Sequence, residues 1–233
     1  AEVAETLGIP LNQQPPVRLR GVTGTATVPA IRVDTMVVGD LLFSPKRLPI
    51  VTDALGGAQG ILGSEGMADK RIYIDFRRDL ITISRSRNER AALGFMTIPV
   101  RFERGRLLVV DALVGNVRAK AIIDTGGQAT IANKALRDAL NRMRLRQPAT
   151  IDNIVGATTD VQQGEGYPAP PIELGSLQIR SSHITFGDMH IFEHWKLTKE
   201  PAVLIGMDAL GLLETLVIDY RRRELHIRMR SSS

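Results

Sequence analysis

Few side chains in this sequence combine the type and the spacing that chemistry requires. Ile122-Ile123-Asp124-Thr125-Gly126-Gly127 is an apolar run that delivers one carboxylate into a glycine-rich turn, a setting in which an aspartate can act as general acid or base. Asp-Thr-Gly by itself also occurs in many ordinary turns, so the surroundings of Asp124 have to decide. His190 and His194 stand four apart around Ile191-Phe192-Glu193, a spacing that would put two imidazoles on one helical face. Neither histidine is followed directly by a glutamate and no third ligand is evident, so no metal is assigned. The serines, Ser64-Glu65-Gly66 among them, have no histidine at a recognisable spacing. There is no cysteine, which removes thiol nucleophiles, disulfides and Cys-ligated metals together. No cofactor is called for.

The elements around Asp124 are legible. Leu107 to Val114 and Val117 to Ile123 are β-rich runs on either side of Gly115-Asn116, a turn pair, and Val117, Ala119, Ala121 and Ile123 alternate with Arg118 and Lys120. This predicts a hairpin whose second strand ends at Asp124. Beyond it Asn133 can cap a short helix with Leu136, Ala139, Leu140 and Met143 on one face. Most of the remainder reads as short strands divided by Gly and Pro, with Pro168, Pro170 and Pro171 in an irregular loop.

The chain also repeats itself, which bears on the whole fold. Ile61-Leu62-Gly63-Ser64-Glu65-Gly66-Met67 is followed by Ile72-Tyr73-Ile74-Asp75-Phe76-Arg77-Arg78. Leu204-Ile205-Gly206-Met207-Asp208-Ala209-Leu210 is followed by Leu216-Val217-Ile218-Asp219-Tyr220-Arg221-Arg222. The glycines are 143 apart and the aspartates 144. Earlier in each half, Arg20-Gly21-Val22-Thr23-Gly24 parallels Val155-Gly156-Ala157-Thr158-Thr159 at an offset of 135, and Val38-Gly39-Asp40-Leu41 parallels Leu174-Gly175-Ser176-Leu177. Two copies of one unit predict two lobes, 1–83 and 94–230, joined by the polar linker 84–93.

An apolar strand entering Asp124-Thr125-Gly126, an apolar-apolar-Gly element 80 residues later at Leu204-Ile205-Gly206, and a strand ending Ile218-Asp219-Tyr220 together resemble the pepsin and retropepsin superfamily. The likeness is strongest to the compact retropepsin-like aspartic proteases of bacteria, and it covers nearly the whole chain. The resemblance implies a mostly β, two-lobed acid-protease fold, with closed barrel-like lobes that each carry a short helix. It implies that Asp124 is one of two catalytic carboxylates, with Thr125 tying the two aspartate loops together, Gly126 allowing the turn and Gly127 completing it. Gly21, Val22 and Thr23, and likewise Gly156, Ala157 and Thr158, look like flaps over a bound peptide. Ile61-Leu62-Gly63 and Leu204-Ile205-Gly206 would pack beneath the aspartate loops. Bacterial relatives also suggest a periplasmic or envelope setting.

Two departures qualify the resemblance. Relatives usually place Ala, Ser or Thr after Asp-Thr-Gly, where this chain has Gly127. The first lobe has no Asp-Thr-Gly at all. Asp34-Thr35-Met36 falls at the wrong place in the repeat, and an offset of 135 carries Asp124 back to a position before Ala1, with Glu2 to Leu7 then matching the helix after Asp124. The second carboxylate is therefore expected upstream, and the chain alone is expected to be inactive.

A monomer whose lobes form a pseudo-dimer is expected. Two other readings stay open: a homodimer in which Asp124 meets its symmetry mate, and a non-catalytic peptide-binding module of the same fold. Asp75 and Asp219, at strand ends, are read as structural and paired to neighbouring arginines, and Trp195 as a packing or cleft-wall residue. The net charge of +5 is spread along the chain apart from Arg142 to Arg146 and Arg221-Arg222-Arg223, and aromatics are 4%, which argues against nucleic acid as partner. No apolar run approaches the roughly 18 residues of a membrane helix.

Overall fold

Alternating apolar residues and frequent turns fold the chain chiefly into short strands. The computed structural model describes residues 1–38, 41–44, 47–51, 57–104, 107–141, 150–180 and 183–230. Gly39, Asp40, Arg142 to Arg146 with Met143, and the Ser231 to Ser233 tail lie outside the described residues. The chain divides into two compact units, one of Ala1–Gly66, Asn153–Gln162 and Met189–Ile191, the other of Met67–Asp152, Gln163–Asp188 and Phe192–Ser233.

In the first unit α1 (Glu2–Thr6) ends through Gly8, whose φ of +65° is one that glycine adopts without strain. β1 (Pro16–Arg20) and β2 (Thr25–Ile31) pair antiparallel from Pro16↔Pro29 to Arg20↔Thr25. β3 (Met36–Val38) and β4 (Leu41–Phe43) form a separate ladder, and β5 (Leu48–Pro49) extends β2 on its other edge. Few apolar side chains are buried here: Ala4, Ala30, Ile31, Phe43, Ile154, Met189 and Ile191.

The second unit holds most of the core. β6 (Lys70–Asp75), β7 (Leu80–Arg85) and β8 (Met96–Pro99) are followed by β9 (Arg101–Glu103), β10 (Leu107–Val114), β11 (Val117–Ile123) and β12 (Ile131–Ala132), then α2 (Lys134–Asn141). β13 (Thr150–Val155) and β14 (Val161–Pro168), of which Asn153–Val155 and Val161–Gln162 belong to the first unit, precede β15 (Ile172–Leu174), β16 (Leu177–Ile179) and β17 (His183–Phe186). α3 (His190–His194), whose His190 and Ile191 belong to the first unit, β18 (Ala202–Ile205), α4 (Met207–Leu210), β19 (Leu213–Asp219) and β20 (Glu224–Met229) complete the order. The larger sheet runs β13-β14-β17-β12-β18-β11-β10-β15-β16, with β9 also on β10. It is mixed, because β11 lies parallel to β18 and β12 parallel to β17. Val110, Val114, Ala121, Ile172, Val203 and Ile205 are among the fully buried residues of its core. Among the described residues no helix is long and apolar enough to cross a membrane.

A five-stranded antiparallel sheet has the order β7-β6-β19-β20-β8. β6 and β19 pair around Tyr73↔Val217, positions 144 apart, and the two hairpins close alike at Asp75↔Leu80 and Asp219↔Glu224. Asp75 Oδ1 accepts the N–H groups of Arg77 and Arg78 at 3.0 and 3.1 Å, while Asp219 accepts the Arg222 N–H at 3.0 Å and the Ser86 hydroxyl at 3.0 Å. Turn amides and a buried hydroxyl make the closest contacts to these carboxylates, and the expected arginine pairing is present at Asp75. The shortest Arg–Asp75 ion-pair contact is 4.0 Å, from the exposed Arg78.

Three expectations are revised. Neither sheet closes on itself among the described residues, since β13 and β16 remain edges of the larger one; the barrel-like description does not hold. One helix per lobe undercounts α2, α3 and α4. Within the span 84–93, Ser84 and Arg85 finish β7 and Ser86 is buried on Asp219, and β6 and β7 group with the second unit because their hydrogen bonds go to β19.

Candidate active site

Asp124 is positioned by a strand whose end is enclosed on both edges. β11 is flanked by β10, antiparallel from Val109↔Ile122 to Val114↔Val117, and by β18, parallel through Ile123↔Ile205. Ala121, Ile122 and Ile123 are all buried, as befits a central strand with parallel pairing. The last rung is the Asp124 N–H donating to Ile205 O at 3.0 Å. One residue beyond the ladder, the chain turns, with Gly127 N–H on Asp124 O at 3.3 Å.

The carboxylate faces its own turn. Gly126 N–H donates to Asp124 Oδ1 at 3.0 Å. Burial raises the Asp124 pKa above the ordinary carboxylate value, outweighing the amide hydrogen bonds of Gly126 and Gly127 that lower it. A Cβ on Gly127 would stand 2.8 Å from Asp124 Oδ2. A larger residue after Asp124-Thr125-Gly126 would therefore press on the Asp124 carboxylate. Thr125 and Gly126 are exposed, and the Thr125 hydroxyl has no partner among the described residues to tie a second loop.

The Asp124 loop is sewn to the segment that follows β18. Met207 N–H donates to Gly127 O at 2.8 Å and Asp208 N–H to Gln128 O at 3.0 Å. The Asp208 carboxylate accepts the Thr130 N–H at 2.9 Å, the Thr130 hydroxyl at 2.6 Å and the Ala209 N–H at 2.8 Å. Thr130 Oγ1 in turn accepts the Gly206 N–H at 3.2 Å. A Cβ on Gly206 would lie 2.5 Å from Ala129 O, so only glycine allows this approach. Asn133 caps α2 through Leu136 N–H at 2.9 Å, as the sequence suggests, and also accepts Ala202 N–H at 3.1 Å and donates to Leu197 O and Glu200 O. The roles of Thr130 and Asp208 were missed from sequence; the one available signal was an acidic residue in the first turn of a helix after Gly206.

The flap-like residues come together in the first unit. Gly21, Thr23, Gly156 and Thr158 are buried, and Val22 and Ala157 half-buried. His190 and His194 share α3, but His190 Nε2 lies 3.1 Å from Thr25 Oγ1, a structural partner. Trp195 is half-buried. Asp34 of Asp34-Thr35-Met36 is largely exposed beside Arg32.

No family model matches this chain, and no curated protein sequence matches it significantly. Among solved structures, a retropepsin-like aspartic protease from Rickettsia conorii aligns over 61% of this chain and 98% of its own, at 14% identity and a TM-score of 0.39. At that identity and score no residue role passes from one protein to the other.

Proposed function

We propose that this chain forms the greater part of an aspartic endopeptidase, with Asp124 one of two carboxylates that activate a water, the second supplied by polypeptide outside these 233 residues. The observation that carries this reading is Asp124 itself: a carboxyl whose proton affinity is raised by burial, following three buried residues at the end of a strand and fixed by a glycine amide. Two carboxylates close together share one proton. The ionised one takes a proton from the water, whose oxygen attacks the scissile carbonyl carbon, and the protonated one gives its proton to the carbonyl oxygen. As the tetrahedral intermediate collapses, that proton returns, the C–N bond breaks and the leaving nitrogen takes up the proton drawn from water.

The repeat supports a second carboxylate rather than Asp124 alone. Leu204 and Ile205 are buried beneath the Asp124 loop, whereas their counterparts Ile61 and Leu62 are 68% and 37% exposed. The bare first copy suits an apolar strand bearing the partner aspartate. A peptide substrate is proposed to add in extended form, through backbone hydrogen bonds.

The test is peptide-library cleavage, from about pH 3 to pH 7, by the chain joined to whatever its gene encodes upstream, with Asp124→Asn as control. Cleavage lost in the Asp124→Asn variant is expected. A folded protein that cleaves nothing, or one whose Asp124→Asn variant cleaves equally well, would sink the proposal. Cleavage by the 233-residue chain alone, rising with the square of its concentration, would point instead to two copies facing their Asp124 residues.

A further inference from the structure

The alternation that buries Val110, Ala112 and Val114 turns Asp111 and Leu113 to the opposite face of β10, and in the same way Arg118 and Lys120 turn out of β11 and Glu173 out of β15. The registers Leu113↔Arg118 and Leu113↔Glu173 set Arg118, Leu113 and Glu173 in one row across neighbouring strands. Adjacent strands lie about 4.8 Å apart, so the Arg118 and Glu173 backbones are about 10 Å apart with Leu113 between them. This row, with Asp111, Lys120 and Glu200, lines a cleft of about 630 Å³. Sites for small ligands run from about 300 to 1,000 Å³.

The charges of the cleft are of two kinds. Lys120 is neutralised by Glu103 at 3.3 Å and Glu200 at 3.2 Å, and Asp111 is held by Arg101 at 2.6 and 2.7 Å. Arg118, by contrast, is exposed and makes no hydrogen bond or ion pair among the described residues. Glu173 accepts the Gln178 side-chain amide at 2.9 Å and has no cation on it among the described residues. Leu113, 36% exposed, stands between the two. An unpaired cation and an unpaired anion therefore mark the ends of a row whose middle is apolar.

We propose that this cleft binds a short zwitterionic peptide of about three residues, its carboxylate on Arg118, its amine on Glu173 and its middle side chain over Leu113. A planar guanidinium grips a carboxylate through two parallel N–H groups. An extended chain spans about 3.3–3.6 Å per residue, so three residues match the roughly 10 Å between the two charged positions. Lys120 and Asp111, already paired, do not compete for the peptide ends. The site is separate from Asp124, which Arg118 precedes by six residues, about 20 Å of strand. Binding stands on the cleft alone; that such a peptide would be a product released by this same chain rests on the protease reading above.

The probe is the tripeptide Ala-Leu-Ala with free ends, titrated into the 233-residue chain and followed by amide NMR shifts. Saturable shifts at Leu113, Arg118 and Gly175 are expected, with a midpoint of about 1 mM that is the same in Asp124→Asn. Arg118→Ala and Glu173→Ala, which change side chains outside the core, are each expected to weaken binding about tenfold, as the loss of a charge-assisted hydrogen bond does. The same peptide acetylated at its amine and amidated at its carboxylate is expected to bind at least about tenfold more weakly. No saturable shift up to about 20 mM overturns the proposal. So does equal binding of the capped peptide, undiminished binding by both variants, or a set of shifts confined to the Asp124 loop. Peptide-library cleavage decides the protease reading separately: binding of Ala-Leu-Ala without any cleavage leaves this site standing and removes only its link to a product, whereas cleavage without binding rejects the site and keeps the protease.

Discussion

Ile61-Leu62-Gly63 and Leu204-Ile205-Gly206 are close to the same sequence in two different states. The later copy contains the end of strand β18, lies between β11 and β12, and has Leu204 and Ile205 at 1% and 0% exposure. Its glycine is pressed on Ala129. The earlier copy forms no strand, leaves Ile61 and Leu62 in solvent, and has nothing within 4 Å of a Cβ built on Gly63. Strand formation here is a property of neighbours that supply backbone partners and an apolar face, more than of the residues themselves.

Truncation should separate the copies most. Leu204→Ala is expected to cost about 2–5 kcal/mol, as large-to-small changes in a filled core do, against less than about 0.5 kcal/mol for Ile61→Ala; urea unfolding of the two variants measures both. Joining the chain to whatever its gene encodes upstream should sharpen the test, because Ile61→Ala becomes as costly as Leu204→Ala if an added strand covers it. Equal costs in the 233-residue chain would break the comparison.

Next in size, Gly206→Ala forces a methyl onto Ala129 and should cost about 1–3 kcal/mol, while Gly63→Ala meets open space and should be near neutral. The same unfolding measurement decides it. Asp208→Ala, which removes the acceptor for Thr130, should cost about 1–2 kcal/mol and loosen the Asp124 loop, visible as faster exchange of the Thr130 amide. The smallest effect concerns Asp124. Burial raises its pKa, so the ionised form is the one that folding disfavours. The stability linked to its proton is present at low pH and lost as pH rises through the folded-state pKa. Asp124→Asn should therefore raise Tm at pH 7 and change it little at pH 3, measured by thermal scans at both.

Much of the local structure was legible. The alternation around Gly115-Asn116 gave β10 and β11 with the bounds observed, and Asn133 was recognisable as a cap because its side chain answers amides three residues away. The Thr130–Asp208 clamp was not legible, because its partners are 78 residues apart and neither stands in a pattern until the loop and α4 are side by side. The open sheet was missed for a related reason: whether edges meet depends on the curvature of many short strands, which no single segment encodes.

Sequence alone determined where the strand ends and a carboxylate begins, since apolar runs, turn glycines and caps act over a few residues. Only the tertiary structure decided that β11 and β18 run parallel, so that Ile205 receives the Asp124 amide, and that Leu204-Ile205 is buried while the similar Ile61-Leu62 is exposed. Those outcomes depend on burial and hydrogen-bond satisfaction, which are settled by what the chain brings alongside each residue.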